Sequence, residues 1–182
     1  MSDALARLRE ILAEFPAGMA YPMSELVYDP SGHDFDWTAI EASAGIGLPA
    51  DYKRLADGFG DPVFSGLFLV PPDGFRAKHD LHAGYLRDWF ARYPENVRPI
   101  HPDPGGLLLC AFTEGRDVLW WDTTDPDPDR WTIVWDVEFR GHTYAGTVTE
   151  LLVEEFTGTL HSRLTGVTLG DPDPDLDDED ED

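Results

Sequence analysis

The sequence predicts a single α+β domain in which helices cover a largely antiparallel sheet of about five to six strands. Three observations carry this reading. Apolar residues recur at helical spacing in three stretches before Gly60, extended apolar patterns joined by short polar turns fill residues 105 to 139, and a helical pattern closes the domain at 149 to 158.

The first helix rests on Leu5, Leu8, Ile11, Leu12 and Phe15, with Ser2 and Asp3 placed to cap it and Pro16 and Gly18 to end it. Residues 17 to 35 carry little periodicity and read as a connecting loop. Asp36 caps a short helix with Trp37, Ile40 and Ala44 on one face, and the chain turns at Gly45 to Gly47. A third helix starts at Leu48-Pro49, where the fixed φ of proline suits a first helical turn, and runs through Tyr52, Leu55 and Ala56 to Gly58. GLFLVPP, residues 66 to 72, reads as a buried strand. Residues 78 to 93 are helical again, with Leu81, Tyr85, Leu86, Trp89, Phe90 and Tyr93 on one face until Pro94. GGLLLCAFT (105 to 113), VLWWD (118 to 122) and WTIVWDVEF (131 to 139) form an antiparallel meander, because short turns join only antiparallel neighbours. An element around His142 to Tyr144 extends it, and a last helix from Thr149 turns Leu151, Leu152 and Phe156 inward up to Gly158.

The domain spans residues 1 to 168, and residues 169 to 182 are expected to be a disordered acidic tail, too polar to bury a core. Hydrophobic residues make up 42% of the 182, enough for one packed core. Cys110 is the only cysteine, so no internal disulfide forms, and a cytoplasmic location fits. No apolar run reaches the ~20 residues that cross a bilayer.

Charge is the strongest signal. Thirty-six acidic against 13 basic residues give a formal net charge of -23, which repels phosphate backbones and anionic lipid and argues against direct nucleic-acid or membrane binding. The tail 171 to 182 holds nine acids, and removing them leaves -23 + 9 = -14. No Lys or Arg lies between Arg9 and Lys53, whereas Asp29, Asp34 and Asp36 do; a second cluster, Asp122, Asp125, Asp127 and Asp129, faces only Arg130. Two readings stand: solvated charge that keeps the chain soluble, and a landing surface for a basic partner.

Catalytic signatures are weak. GIGLPA lacks the third glycine and the preceding strand of a phosphate loop, and no G-x-S-x-G elbow occurs. His79 and His82 stand three apart on a predicted helix without further ligands, and surface histidines are the expectation. DPDPDLDD puts Leu176 where a calcium loop needs glycine. Cys110 lies in an apolar strand as a buried, unreactive thiol; about half of Trp120, Trp121, Trp131 and Trp135 face the core and the others lie under a helix, or become interface anchors where a face is left uncovered. No catalytic residue, metal or cofactor is expected.

The stretch WTAIEASAGIGLPADYKRLADGFG, residues 37 to 60, resembles the N-terminal motif of the SUKH superfamily, which includes the yeast cell-wall-assembly regulators and many bacterial toxin-immunity proteins. The matching positions are Trp37, Ile40, Glu41, Gly45, Leu48, Pro49, Asp51, Tyr52, Lys53 and Gly60. Residues 105 to 131 resemble the family's hairpin and 149 to 158 its closing helix. Two departures stand out: Arg116-Asp117 replaces a common Gly-Asp pair, and Cys110-Ala111-Phe112 occupies a site where Trp is common. The resemblance implies a SUKH-like fold and a non-enzymatic cytoplasmic binding domain, in bacteria an immunity protein that neutralises a cognate polymorphic toxin, often a nuclease. Its alternative is a regulatory scaffold without a toxin; a hydrolase built on paired carboxylates is a third, weaker reading. Because nucleases are basic, charge nominates Asp29, Asp34, Asp36, Asp122, Asp125, Asp127 and Asp129 as partner contacts.

Overall fold

The computed structural model describes residues 4–14, 20–21, 24–29, 31–64, 67–113, 117–135 and 141–160. The expected tail, the 168/169 boundary and Arg116 at the hairpin tip lie outside the described residues, as do Ser2, Asp3 and Phe15. Five helices are present among them: α1 (Ala4–Glu14), α2 (Trp37–Ala44), α3 (Ala50–Phe59), α4 (Phe75–Arg92) and α5 (Val148–Phe156). The strands are β1 (Ala20–Tyr21), β2 (Ser24–Val27), β3 (Val63–Phe64), β4 (Leu67–Leu69), β5 (Leu107–Thr113), β6 (Val118–Asp122), β7 (Thr132–Trp135) and β8 (His142–Tyr144).

The strands pair in sequence order, each antiparallel to the next, so the sheet is a continuous meander. Six of them are three residues or longer, which matches the expected α+β architecture; β1 and β3 add two residues each. The 17-to-35 segment is not simply a loop, because β1 and β2 lie within it and β2 pairs with β3 through Leu26↔Phe64 and Val27↔Val63. Strands this short carry no period, and the partner that ties β2 into the larger sheet, β3, is distant in sequence, so local pattern could not reveal them.

Helices cover both faces of the sheet. On one face Tyr52 of α3 meets Trp121 edge-on at 5.3 Å, Phe156 of α5 meets Phe64 at 5.9 Å, and α1 packs on α5. On the other, His79 of α4 meets Trp120 at 6.3 Å. This double cover buries Trp120, Trp121, Trp131 and Trp135 alike, the outcome expected where the rings that do not face the core lie under a helix. Register shifts between Leu109 and Ala111, so Cys110 occupies an irregularity of β5 at the site where the family resemblance departs.

α4 departs most from its expected form. It begins at Phe75, three residues early, and its buried face is Phe75, His79, Ala83, Leu86 and Phe90. Leu81, Tyr85 and Tyr93, expected inside, are exposed. The helix is rotated because His79 takes a core position, which a pattern that counts histidine as polar cannot register. Smaller shifts occur at two N-termini: Pro49 is the N-cap of α3 rather than its first turn, and α5 starts at Val148 with Thr147 as N-cap.

Candidate functional site

The residues of the 37-to-60 motif are joined to one another by hydrogen bonds and packing. Asp36 accepts from the Ala39 amide at 3.0 Å and caps α2; Gly45, at φ 77°, ends that helix in the left-handed region open to glycine. Glu41 then reaches over the turn, accepting from the Leu48 amide at 2.9 Å and from Lys53 Nζ at 2.8 Å. Burial pushes the Glu41 carboxyl up, but the Lys53 and Leu48 donors outweigh it and hold it below the usual range. Trp37 Nε1 donates to Asp57 Oδ1 at 3.0 Å, tying α2 to α3. Tyr52 is fully buried and donates its hydroxyl to the Val70 carbonyl at 2.5 Å, fixing α3 to the end of β4. Asp51 accepts from both the amide (3.0 Å) and the hydroxyl (2.9 Å) of Thr149, so α3 caps α5 across 98 residues of sequence.

The acidic loop 122 to 130 is held by its own carboxylates. Asp122 pairs with Arg98 Nη2 at 2.7 Å and accepts from the amide and hydroxyl of Thr124. Asp125 accepts from the Asp127 amide at 3.0 Å and lies 3.5 Å from Arg130 Nε. Asp127 accepts from the Asp129 amide at 3.1 Å, starting a short turn at Pro128–Arg130. Asp129 accepts from the Ala50 amide at 2.6 Å, at the N-terminus of α3. From the inner side Trp131 Nε1 donates to the Asp125 carbonyl at 2.7 Å. Asp127 and Asp129 are nonetheless exposed, so charge is presented from a braced backbone.

The other predicted acids sit elsewhere. The Asp29 amide donates to the Phe59 carbonyl and the His33 amide to the Asp57 carbonyl, so Asp29 and His33 lie beside the C-terminal end of α3. Asp29 accepts from the Ser31 amide and lies 3.4 Å from His33 Nε2; the Ser31 hydrogen bonds lower its pKa. Asp34 is exposed and makes no hydrogen bond or ion pair with another described residue. The two acidic groups therefore bracket α3, whose ten residues are ~15 Å long, and do not merge into one cluster.

Beside Asp129 a cleft of about 190 Å³ opens between the N-termini of α3 and α5. Pro49, Pro128 and Trp131 give it apolar walls, and Asp51, Arg54 and Thr147 give it polar ones. Its buried carboxylate, Asp51, is committed to Thr149, with Arg54 at 3.7 Å. Sequence charge pointed to Asp129 but not to the cleft, which exists only because Pro49 and Thr147, 98 positions apart, become neighbours.

A buried histidine pair is the feature that sequence reasoning missed. His79, expected on the surface, is 1% exposed. The Leu109 amide donates to its Nδ1 at 3.2 Å, so Nδ1 carries no proton, and Nε2–H donates to the His101 carbonyl at 3.1 Å. His101 in turn donates from Nε2 to the Ala44 carbonyl at 2.9 Å, which ties the end of α2 to β5 and α4. Burial pushes the His79 pKa down. Among the described residues no group of three or more His, Cys, Asp or Glu is placed to hold a metal ion. Burial drives the Cys110 thiol pKa well up, and the Asp51 charge adds to that.

No family model, curated protein or solved structure matches the chain. No helix among the described residues is long and apolar enough to cross a membrane.

Proposed function

We propose that the chain is a SUKH-like, non-enzymatic protein-binding domain, and that it acts as an immunity protein for a basic toxin domain. The observation that supports this most is the acidic loop: Asp125, Asp127 and Asp129 are braced by hydrogen bonds beside a cleft, in a chain of net charge -23. Braced carboxylates lose little freedom when a cation approaches, and an acidic face speeds encounter with a basic partner. A nuclease holds phosphate through cations, so the same surface suits an acidic inhibitor. The resemblance of residues 37 to 60 points to the same class, with the motif building the scaffold and the loop supplying the contact.

Coexpression with the product of the adjacent gene, followed by capture and kinetics, tests the proposal. The expected result is a complex with a basic domain whose association rate falls at least about tenfold from about 0.05 to about 0.5 M salt. Capture with a rate indifferent to salt overturns the electrostatic contact. Failure to capture a basic domain removes the immunity reading in favour of a scaffold without a toxin.

A further inference from the structure

α4 and the turn after it differ in charge from the rest of the chain. Residues 75 to 98 contain five cations (Arg76, Lys78, Arg87, Arg92, Arg98) and three acids (Asp80, Asp88, Glu95), a net of +2, so the remainder carries -23 - 2 = -25. Arg98 and Arg76 are spent on Asp122 and Asp80. Among the described residues no carboxylate lies within 4 Å of Lys78, Arg87 or Arg92. Lys78 and Arg92 lie on the outer side of the helix, about 40° apart by a 100° step per residue, with Tyr85 between them.

The same side exposes apolar surface. Leu81 is 49% exposed, Tyr85 64% and Tyr93 46%, at spacings of four and eight residues. Beyond them Phe112, half-buried, stacks on Phe68 at 5.2 Å, with His82 at 4.8 Å on its ring and Lys78 at 5.6 Å. An apolar stripe edged by cations on an otherwise anionic body suits an acidic segment with an apolar side chain.

This chain contains such a segment, and we propose that the outer face of α4 seats its C-terminal residues 171 to 182, DPDPDLDDEDED. Nine acids and one leucine, Leu176, match the cations and the stripe in kind. The ten residues between Leu160 and Asp171 span up to ~33 Å when extended, against a radius of gyration of ~16 Å for a chain of this length, so α4 is within reach. Outside residues 75 to 98 and the tail itself the chain carries -25 + 9 = -16, which repels the tail, and screening over ~8 Å leaves local charge to choose the seat. Tethering gives an effective concentration in the millimolar range, so weak contacts suffice.

The test uses the full chain with p-benzoylphenylalanine placed at Tyr85, irradiated at low concentration, and the products mapped by mass spectrometry. The expected result is crosslinks within residues 171 to 182 in the monomer. Their yield falls at least about fivefold between about 0.05 and about 0.5 M salt, and comparably in a Lys78→Glu, Arg92→Glu chain. Amide spectra of the full chain with its tail acids changed to Asn and Gln provide a second measurement, with shifts confined to the α4 face. Crosslinks only to other segments, tail crosslinks indifferent to salt, or crosslinks in a species of dimer mass would each overturn the proposal.

Discussion

Asp51→Ala is the sharpest test of whether the 37-to-60 motif serves the fold. Asp51 is 8% exposed and receives two hydrogen bonds from Thr149, which is fully buried. Hydrogen bonds to an ionised acceptor contribute about 1.5–3 kcal/mol each, and a buried donor left without a partner costs about 1–3 kcal/mol. Truncation strands two such donors in the first turn of α5 and removes a negative charge from a helix N-terminus, worth about 0.5 kcal/mol more. Relief of the carboxylate's own desolvation offsets part of this. Arg54 lies 3.7 Å away with a 64% exposed side chain, so its ion pair contributes little. The expected net loss is about 3 kcal/mol, or about 6–12 °C in Tm for a domain of this size.

Urea unfolding followed by tryptophan fluorescence reads the loss as a lower midpoint at constant m. Asp51→Asn keeps one acceptor and loses about half as much. A double-mutant cycle with Thr149→Val isolates the hydroxyl contact and should return a coupling of about 1–2 kcal/mol. A loss under about 1 kcal/mol for Asp51→Ala, or no coupling, would refute the capping argument.

Three further outcomes follow from the geometry. Tyr52→Phe strands the Val70 carbonyl in the core and costs about 1–2 kcal/mol in the same urea assay; a cost under about 0.5 contradicts the 2.5 Å hydrogen bond. His79 is neutral in the fold with a pKa below 6.5, so the unfolded chain binds its proton first: this contribution is complete above about pH 6.5 and is lost as pH falls through the folded value. His79→Asn should therefore flatten stability against pH in that acid window, and an unchanged slope counts against a neutral His79. Asp129→Ala removes the carboxylate on the Ala50 amide and costs about 1 kcal/mol, whereas Asp34→Ala stays within about 0.5, as thermal melts would show.

What the sequence revealed followed from local signals. Asp36 and Gly45 were readable as the two ends of α2 because capping needs only the adjacent turn. β5, β6 and β7 were readable because their short turns dictate antiparallel neighbours. What stayed hidden depends on partners far apart in sequence. Asp129 bonds Ala50 across 79 residues and Asp51 bonds Thr149 across 98, so nothing local marks either carboxylate as a cap. His79 looked like a surface residue because its two core partners are backbone groups, the Leu109 amide and the His101 carbonyl, which have no sequence signature. The phase of α4 was misread for the same reason, since Leu81 and Tyr85 are the more apolar residues and yet face out. The cleft had no signal at all, being bounded by segments that meet only in the fold.

The acid excess divides into carboxylates that build the fold and carboxylates that remain for a partner, and the division decides which substitutions inform about binding. Asp36, Asp51, Asp129 and Glu150 all accept from amides at helix N-termini, where the positive end of the helix dipole favours them. Asp122 and Asp125 hold their loop through Thr124, Arg98 and the Asp127 amide. A charge reversal at any of these disturbs the scaffold together with the surface, so a weakened complex would not separate lost contact from lost shape. Asp34, which makes no hydrogen bond or ion pair with another described residue, has no such double role. If binding is electrostatic, Asp34→Lys slows association without moving the melting point, whereas Asp129→Lys changes both. A partner whose association rate ignores Asp34→Lys is not reading the charge of the whole face.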